Sequence, residues 1–246
     1  MQFPAPLVRG TLIRRYKRFL ADIALDTGEA VVAHCANPGA MIGLTAPGAE
    51  VWLSRSTNPA RKLAYGWELI RDGDHLVGIN TALPNGIVAE AIARGAIAPL
   101  AGYGTARREV RYGAASRIDL LLEGPGKPTC YVEIKNVHLK RGTAAEFPDC
   151  VTLRGAKHLQ ELMEMVAQGA RAVMVYLVQR GDCSHFSVAD DLDPGYGRAF
   201  REALAGGVEA MCYSCTVTTQ GVELAAPLPI DTETSSETSV KQRRMR

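Results

Sequence analysis

The sequence lacks a long apolar run. No stretch approaches the ~18 residues that would cross a bilayer, so no membrane partner is expected. Its opening, MQFPAPLVRG, lacks the apolar core of a signal peptide, and the expectation is a cytoplasmic protein. Cysteine is sparse and unpatterned: six residues at 35, 130, 150, 183, 212 and 215 make no disulfide framework. They read as reduced core residues. The lone CxxC, Cys212 to Cys215, has no second pair, so it is not taken as a zinc site. Strong net charge is missing too. A formal value of +2 argues neither for nor against an anionic partner. A helix-turn-helix signature is absent, which argues against base-specific readout by a recognition helix.

What is present is a globular chain of 246 residues, 47% hydrophobic. That length permits one large domain or two ordinary ones. Charge is unevenly spread: residues 1–18 hold Arg9, Arg14, Arg15, Lys17 and Arg18 and no acid.

The stretch 116–139, SRIDLLLEGPGKPTCYVEIKNVHL, carries the most information. Two apolar runs, 117–122 and 130–139, flank the turn-rich EGPGKP and read as neighbouring strands. Both carry charge where a buried strand normally would not. Side chains alternate along a strand, so Glu133 and Lys135 share a face. Asp119 on the adjacent strand would complete a carboxylate pair beside an amine. Hard divalent cations bind such oxygen ligands. A lysine there can orient water or stabilise phosphate charge. The competing reading is a surface ion pair on a solvated hairpin. The apolar neighbours Tyr131, Val132, Ile134, Val137 and Leu139 favour a central strand, where a polar triad needs a reason.

Residues 1–82 read as a compact β domain. Short strands are expected at 9–16, 19–25, 30–35, 50–54, 63–70 and 76–79. Breaks fall at DTGE, NPG, PG, NP and DGD. Five or six such strands suggest an OB-fold-like barrel. The first strand interleaves Arg14, Arg15, Lys17 and Arg18 with Tyr16 and Phe19. Cations with stacking rings suit non-specific nucleic-acid binding; equally, this is a solvated strand with its rings in the core. Trp67 and Tyr65 fit the barrel interior, and His34 a local or core role. The glycines of NPGAMIG, 37–43, allow close approach to a backbone or make an ordinary turn.

Residues 83–230 read as a second domain. A helix is expected over 82–100, broken near Gly95 and N-capped by Asn85. Glu90 on that helix could point to the centre. Arg107 to Tyr112 would be a strand, with Glu109 a further candidate carboxylate. Arg107, Arg108, Arg111 and Arg117 make its hairpin basic. The clearest helix is 151–169, with a polar stripe of Arg154, Lys157, His158 and Glu161 that is either exposed or supplies cations to a phosphate. A buried strand at 170–178, a helix at 193–206 and a strand at 208–217 complete a mixed sheet with flanking helices, a mixed α/β (α+β) class. Residues 231–246 are polar and expected to be a disordered tail.

These stretches together resemble the bacterial sugar fermentation stimulation protein family, SfsA. The matching motifs are LIRRYKRFLADI, HCANPGAM, WEL, SRIDLLL, CYVEIKNVHL, FPDCVTLRGAKHLQELM and RAVMVYLV, spanning residues 3 to about 229. The resemblance implies an amino-terminal OB-fold and a carboxy-terminal PD-(D/E)XK nuclease-like domain. It implies DNA as the partner and an association with regulation of maltose metabolism genes. By motif match Asp119, Glu133 and Lys135 become the catalytic set, with Mg²⁺ or Mn²⁺ held by Asp119 and Glu133 and, from the leading helix, Glu90. Arg154, Lys157 and His158 become helix residues facing DNA, beside Arg14, Arg15, Tyr16, Lys17, Arg18 and Phe19 of the barrel. Asn136 and His138 stand where relatives often have Ser and Thr. Two functions follow: a metal-dependent nuclease, or a non-enzymatic DNA-binding regulator. No organic cofactor is implied, and a homo-oligomer stays open.

Overall fold

The computed structural model describes residues 1–113 and 116–232. The expected tail lies outside the described residues from residue 233 onward.

The first six strands are β1 (Val8–Tyr16), β2 (Leu20–Leu25), β3 (Ala30–Cys35), β4 (Glu50–Arg55), β5 (Tyr65–Asp72) and β6 (His75–Gly78). They pair in the order β3-β2-β1-β4-β5-β6, and a parallel β3–β5 pairing closes five of them into a barrel. Alternation sends Leu12, Ala21, Ile23, Ala33, Leu53 and Trp67 into one core. Trp67 is fully buried and donates its indole N–H to the Leu69 carbonyl, as its place in the barrel requires.

The basic strand ends at Tyr16, as expected, so its cations divide between strand and turn. Lys17 and Arg18 turn the chain with φ of 48° and 63°. A bulge between Leu12 and Arg14 turns Ile13 outward.

The remaining elements are α1 (Pro84–Ala93), β7 (Thr105–Tyr112), β8 (Ser116–Glu123), β9 (Cys130–Val137), β10 (Leu139–Arg141), β11 (Ala144–Phe147), α2 (Leu153–Ala167), β12 (Arg171–Val178), β13 (His185–Val188), α3 (Pro194–Ala205), β14 (Glu209–Val217), β15 (Val222–Pro227) and β16 (Ile230–Asp231). The main sheet runs β15-β14-β12-β9-β8-β7, with β12 parallel to both β9 and β14 and the two edges antiparallel. A smaller sheet, β10-β11-β13-β16, joins four short strands that the sequence pattern had not marked.

β12 shows why its run is apolar throughout. Ala172, Met174, Tyr176 and Val178 pack in the core that α2 and α3 cover, whereas Val173, Val175 and Leu177 pack in the α1 core. The helix expected over 82–100 is shorter. α1 ends near Gly95, whose φ is 72°, and only a 3₁₀ turn at Ala98–Leu100 follows. Asn85 is not its N-cap. Leu83 holds that position without a side-chain bond, and Pro84 begins the helix because its missing N–H costs nothing there.

The barrel is tied directly to this domain. Asp149 Oδ2 accepts the Met41 N–H at 2.8 Å, and the Gly78 N–H donates to the Gln179 carbonyl at 2.8 Å. Arg180, 1% exposed, donates to Asp72 of β5, to Asp182 and to the His138 carbonyl. The NPG loop makes its close approach here: a Cβ on Gly39 would lie 2.6 Å from Asp149 Oδ2. The first residues run to the other edge, where Phe3 N–H donates to Gln220 and Val222 N–H to Met1.

Candidate active site

β8 and β9 pair at Leu122–Cys130, Leu121–Tyr131 and Leu120–Val132, and the regular pairing stops there. Beyond it a side chain replaces the ladder: the Ile134 N–H donates to Asp119 Oδ2 at 2.7 Å. The N–H and C=O of one strand residue point to the same edge, so the Ile134 carbonyl faces the same gap. Asp119 Oδ1 accepts from Asn85 Nδ2 at 2.7 Å, which is what Asn85 does instead of capping.

Burial, then repulsion from Glu133, raise the Asp119 carboxyl to about 6 against the bonds from Ile134 and Asn85. Glu133 is 2% exposed. Burial pushes its carboxyl up, but Lys135 and His158 outweigh this and hold it below its ordinary value. Glu133 Oε1 accepts from Lys135 Nζ at 2.8 Å and meets His158 Nδ1. Glu133 Oε2 is buried with no hydrogen-bond partner.

His158 has a defined tautomer. Arg154 Nε, always a donor, lies 3.2 Å from His158 Nε2, so that nitrogen accepts. The ring proton therefore sits on Nδ1 and goes to Glu133, and the 3.2 Å approach of Lys135 Nζ to Nδ1 is a contact without a proton of its own.

The stripe on α2 is divided. Arg154 and Lys157 are exposed, whereas His158 and Glu161 are buried against the sheet. Glu161 Oε1 accepts from Ser116 Oγ at 2.8 Å and pairs with Lys157 at 3.4 Å, and its Oε2 is buried without a partner. Tyr112 also keeps a buried hydroxyl without a partner, and burial and then Glu133, Glu161 and Asp119 push its pKa far up. Sequence reasoning missed Asn85, Tyr112 and Glu161 as parts of this cluster. Pro84 was the available signal for Asn85, since a proline in the first turn places the cap before it. Nothing in the local sequence marks Tyr112.

Glu90 is not brought to the site. It sits off the apolar stripe of α1, 44% exposed, against the Met1 amine at 3.1 Å and Arg94 at 3.8 Å. The helical phase that buries Ile87, Val88 and Ala91 turns it outward. Glu109 falls between the pairs Arg108–Leu120 and Val110–Ile118, opposite Asp119, but it is exposed with φ of 54°. Among the described residues no three His, Cys, Asp or Glu side chains are arranged to hold a metal. Asp119, Glu133 and the Ile134 carbonyl offer oxygen atoms of the kind that suits a hard cation.

The barrel candidates also separate by geometry. Arg15 binds the carbonyls of Arg18, Asn37, Gly39 and Ala40, which makes it a brace for the NPG loop. Arg14 is exposed, paired with Asp22 at 2.7 Å and stacked on the Tyr16 ring at 4.9 Å. Lys17, Arg18 and Phe19 are exposed. Cys212 and Cys215 are buried free thiols whose pKa values burial raises.

A closed OB barrel followed by a mixed sheet whose second and third strands part around an acid–acid–lysine set defines an OB-barrel protein with a PD-(D/E)XK nuclease-like domain. Residues 13–79 match the SfsA N-terminal OB domain, and residues 82–221 match the sugar fermentation stimulation protein RE domain. The chain belongs to the sugar fermentation stimulation protein family. It is 61% identical over 231 residues to the sugar fermentation stimulation protein homolog of Paramagnetospirillum magneticum, covering 94% of this chain and 98% of that one. It is 62% identical over 223 residues to that of Rhodospirillum centenum, covering 90% and 96%. It is similar to the solved structure of Pyrococcus furiosus SfsA in complex with Ca²⁺, with a TM-score of 0.86 and 25% identity over 94% of this chain and 98% of that one.

Proposed function

We propose that this protein is a DNA-binding phosphodiesterase that uses Mg²⁺ or Mn²⁺. One observation carries the reading: Glu133 Oε2 is buried without a partner, on the residue next to Ile134, whose N–H is held by Asp119. A buried carboxylate oxygen left bare is costly unless a cation or water meets it. Asp119, Glu133 and the Ile134 carbonyl would hold the ion; Glu90 has no part in it. The solved Pyrococcus relative contains Ca²⁺, another hard divalent cation, which supports the choice.

Bound there, the ion supplies Lewis-acid stabilisation of phosphate charge. The protein's own groups do the rest. Asn85 and the Ile134 N–H fix both oxygens of Asp119. His158 and Lys135 fix Glu133 Oε1, which leaves Oε2 as its free oxygen. Lys135 Nζ, partly exposed at the mouth, is placed to orient water and meet developing phosphate charge. Arg154 and Lys157 extend positive charge along α2 toward the strand. Arg14, Lys17, Arg18 and Phe19 give the barrel side cations and an exposed ring for a nucleic-acid backbone and its bases.

The test is cleavage of single-stranded, duplex and branched DNA with Mg²⁺ or Mn²⁺ by wild type, Glu133→Ala and Lys135→Ala. The expected result is wild-type cleavage that falls at least ~100-fold in both variants, with binding retained. Wild-type cleavage no faster than that of Glu133→Ala would remove the enzymatic reading. A non-enzymatic DNA-binding regulator of sugar metabolism genes has one observation in its favour: no third metal-ligating side chain joins the pair among the described residues. It requires sequence discrimination that survives raised salt, because phosphate contacts alone weaken steeply.

A further inference from the structure

We propose that the cleft between the barrel and the second domain receives a single unpaired nucleobase of the strand whose phosphodiester lies at Asp119 and Glu133. This rests on the DNA reading above and goes on to name the form of DNA the site takes.

The cleft measures about 390 Å³, within the range of small-ligand sites. It opens beside the carboxylates, because two of its lining residues, Asn85 and Ile134, are the two that hold Asp119. A group entering it is therefore one residue away from the proposed phosphate position.

The lining selects a neutral, flat, hydrogen-bonding group. Phe147, Pro148 and Val151 give apolar surface. Asn85 and Asn136 give amides that are not fully used. The Asn85 bond to Asp119 takes one of two amide N–H groups. Asn136 spends one on His138, while its oxygen accepts from Gln179. The one carboxylate in the lining, Asp149, is already met by the Met41 N–H and His138, and Arg18 is the one arginine or lysine there, on the β1–β2 turn. A phosphate would meet the Asp149 carboxylate, and a metal ion would find Asp149 and His138 already bonded to each other and to the Met41 N–H. A nucleobase finds faces and edges it can use.

The lining beside α2 supports the same occupant. Val151, which lines the cleft, is 65% exposed, and Leu153, two residues on at the start of α2, is 84% exposed. Apolar side chains at such a rim can hold neighbouring bases apart. The proposal requires the base to come from a single strand or to be turned out of a duplex.

The test uses affinity, so it does not depend on cleavage. Single-stranded decamers carrying one abasic residue, moved position by position, are titrated against the full protein with Ca²⁺ in place of Mg²⁺. One position is expected to lose about tenfold in affinity, the others less. Cys150 lines the mouth and is exposed, so a bulky maleimide on its sulfur closes the cleft without changing the fold. Alkylated wild type should lose the preference, and Cys150→Ser treated alike should keep it. Equal affinity at every position, or a preference that survives alkylation of wild type, overturns the nucleobase pocket and leaves DNA binding standing. Failure of every DNA to bind overturns the DNA reading itself, and the pocket with it.

Discussion

Replacing Asp119 by Asn should make the metal-free protein more stable as pH rises, relative to wild type. Asp119 is held at about 6 in the fold, against 3.8 ordinarily. Between those values the unfolded chain has lost a proton that the fold still keeps. Wild-type stability therefore falls with rising pH, by up to about 1.4 kcal/mol per pH unit, and the deficit is constant above the upper value. From pH 4.5 to 7.5 the loss comes to about 2 kcal/mol. Asn does not titrate, so the stability difference between variant and wild type should grow by that amount in favour of the variant. The amide turns an N–H₂ toward either Ile134 or Asn85, both donors to Asp119, at a pH-independent cost of about 1–3 kcal/mol. The slope is thus the readout, not the offset. Urea denaturation across this pH range in a chelator measures it. A flat difference would refute the argument that Asp119 is a buried carboxyl pressed against a second one. Mg²⁺ at about 100 times its Kd should then return about 2.7 kcal/mol to wild type and little to the variant.

The barrel cations should separate into two kinds. Arg15→Ala should cost about 1–3 kcal/mol, because three carbonyls of the NPG loop lose their donor, and it is checked by thermal unfolding. Arg14→Ala and Lys17→Ala should leave stability within about 0.5 kcal/mol and instead lower the salt slope of DNA binding by about one each. Gly39→Ala should destabilise by about 1–3 kcal/mol, since the new methyl meets the Asp149 carboxylate that holds the barrel to its neighbour. Asp149 itself is held below its ordinary value, burial being outweighed by His138 and the Met41 N–H. Its contribution to stability is present above the unfolded value and lost as pH falls through the folded one. Asp149→Ala should accordingly flatten the acid limb of a pH–stability curve.

The readable parts of the sequence were those governed by local pattern. The barrel strands follow from alternating burial, β12 from a continuous apolar run buried on both faces, and the shared face of Glu133 and Lys135 from alternation alone. What was not readable depends on contacts between distant segments. Asn85 reads as a cap until Asp119, thirty-four residues on, is seen to hold it. His158 and Glu161 have the spacing of a solvated stripe, and only the packing of α2 on the sheet turns them inward. Glu90 could have been excluded in advance: Ile87, Val88 and Ala91 define the buried side of α1, and position 90 lies off it. The strands β10, β11, β13 and β16 hold two to four residues each, too few for a period to be recognised.

The packing of α2 on the sheet brings many charged groups together in little solvent. Asp119, Glu133 and Glu161 bring three carboxylates to one region, and Lys135, half-buried there, bonds to a single oxygen among them. His158 meets Glu133 through Nδ1 while Arg154 holds its other nitrogen. Removing any one acid would relieve the repulsion at once, so an arrangement serving stability alone would not retain all three. A divalent cation would meet this excess, and the barrel, fixed by Asp149 and Arg180, sets the width of the cleft through which DNA would reach it.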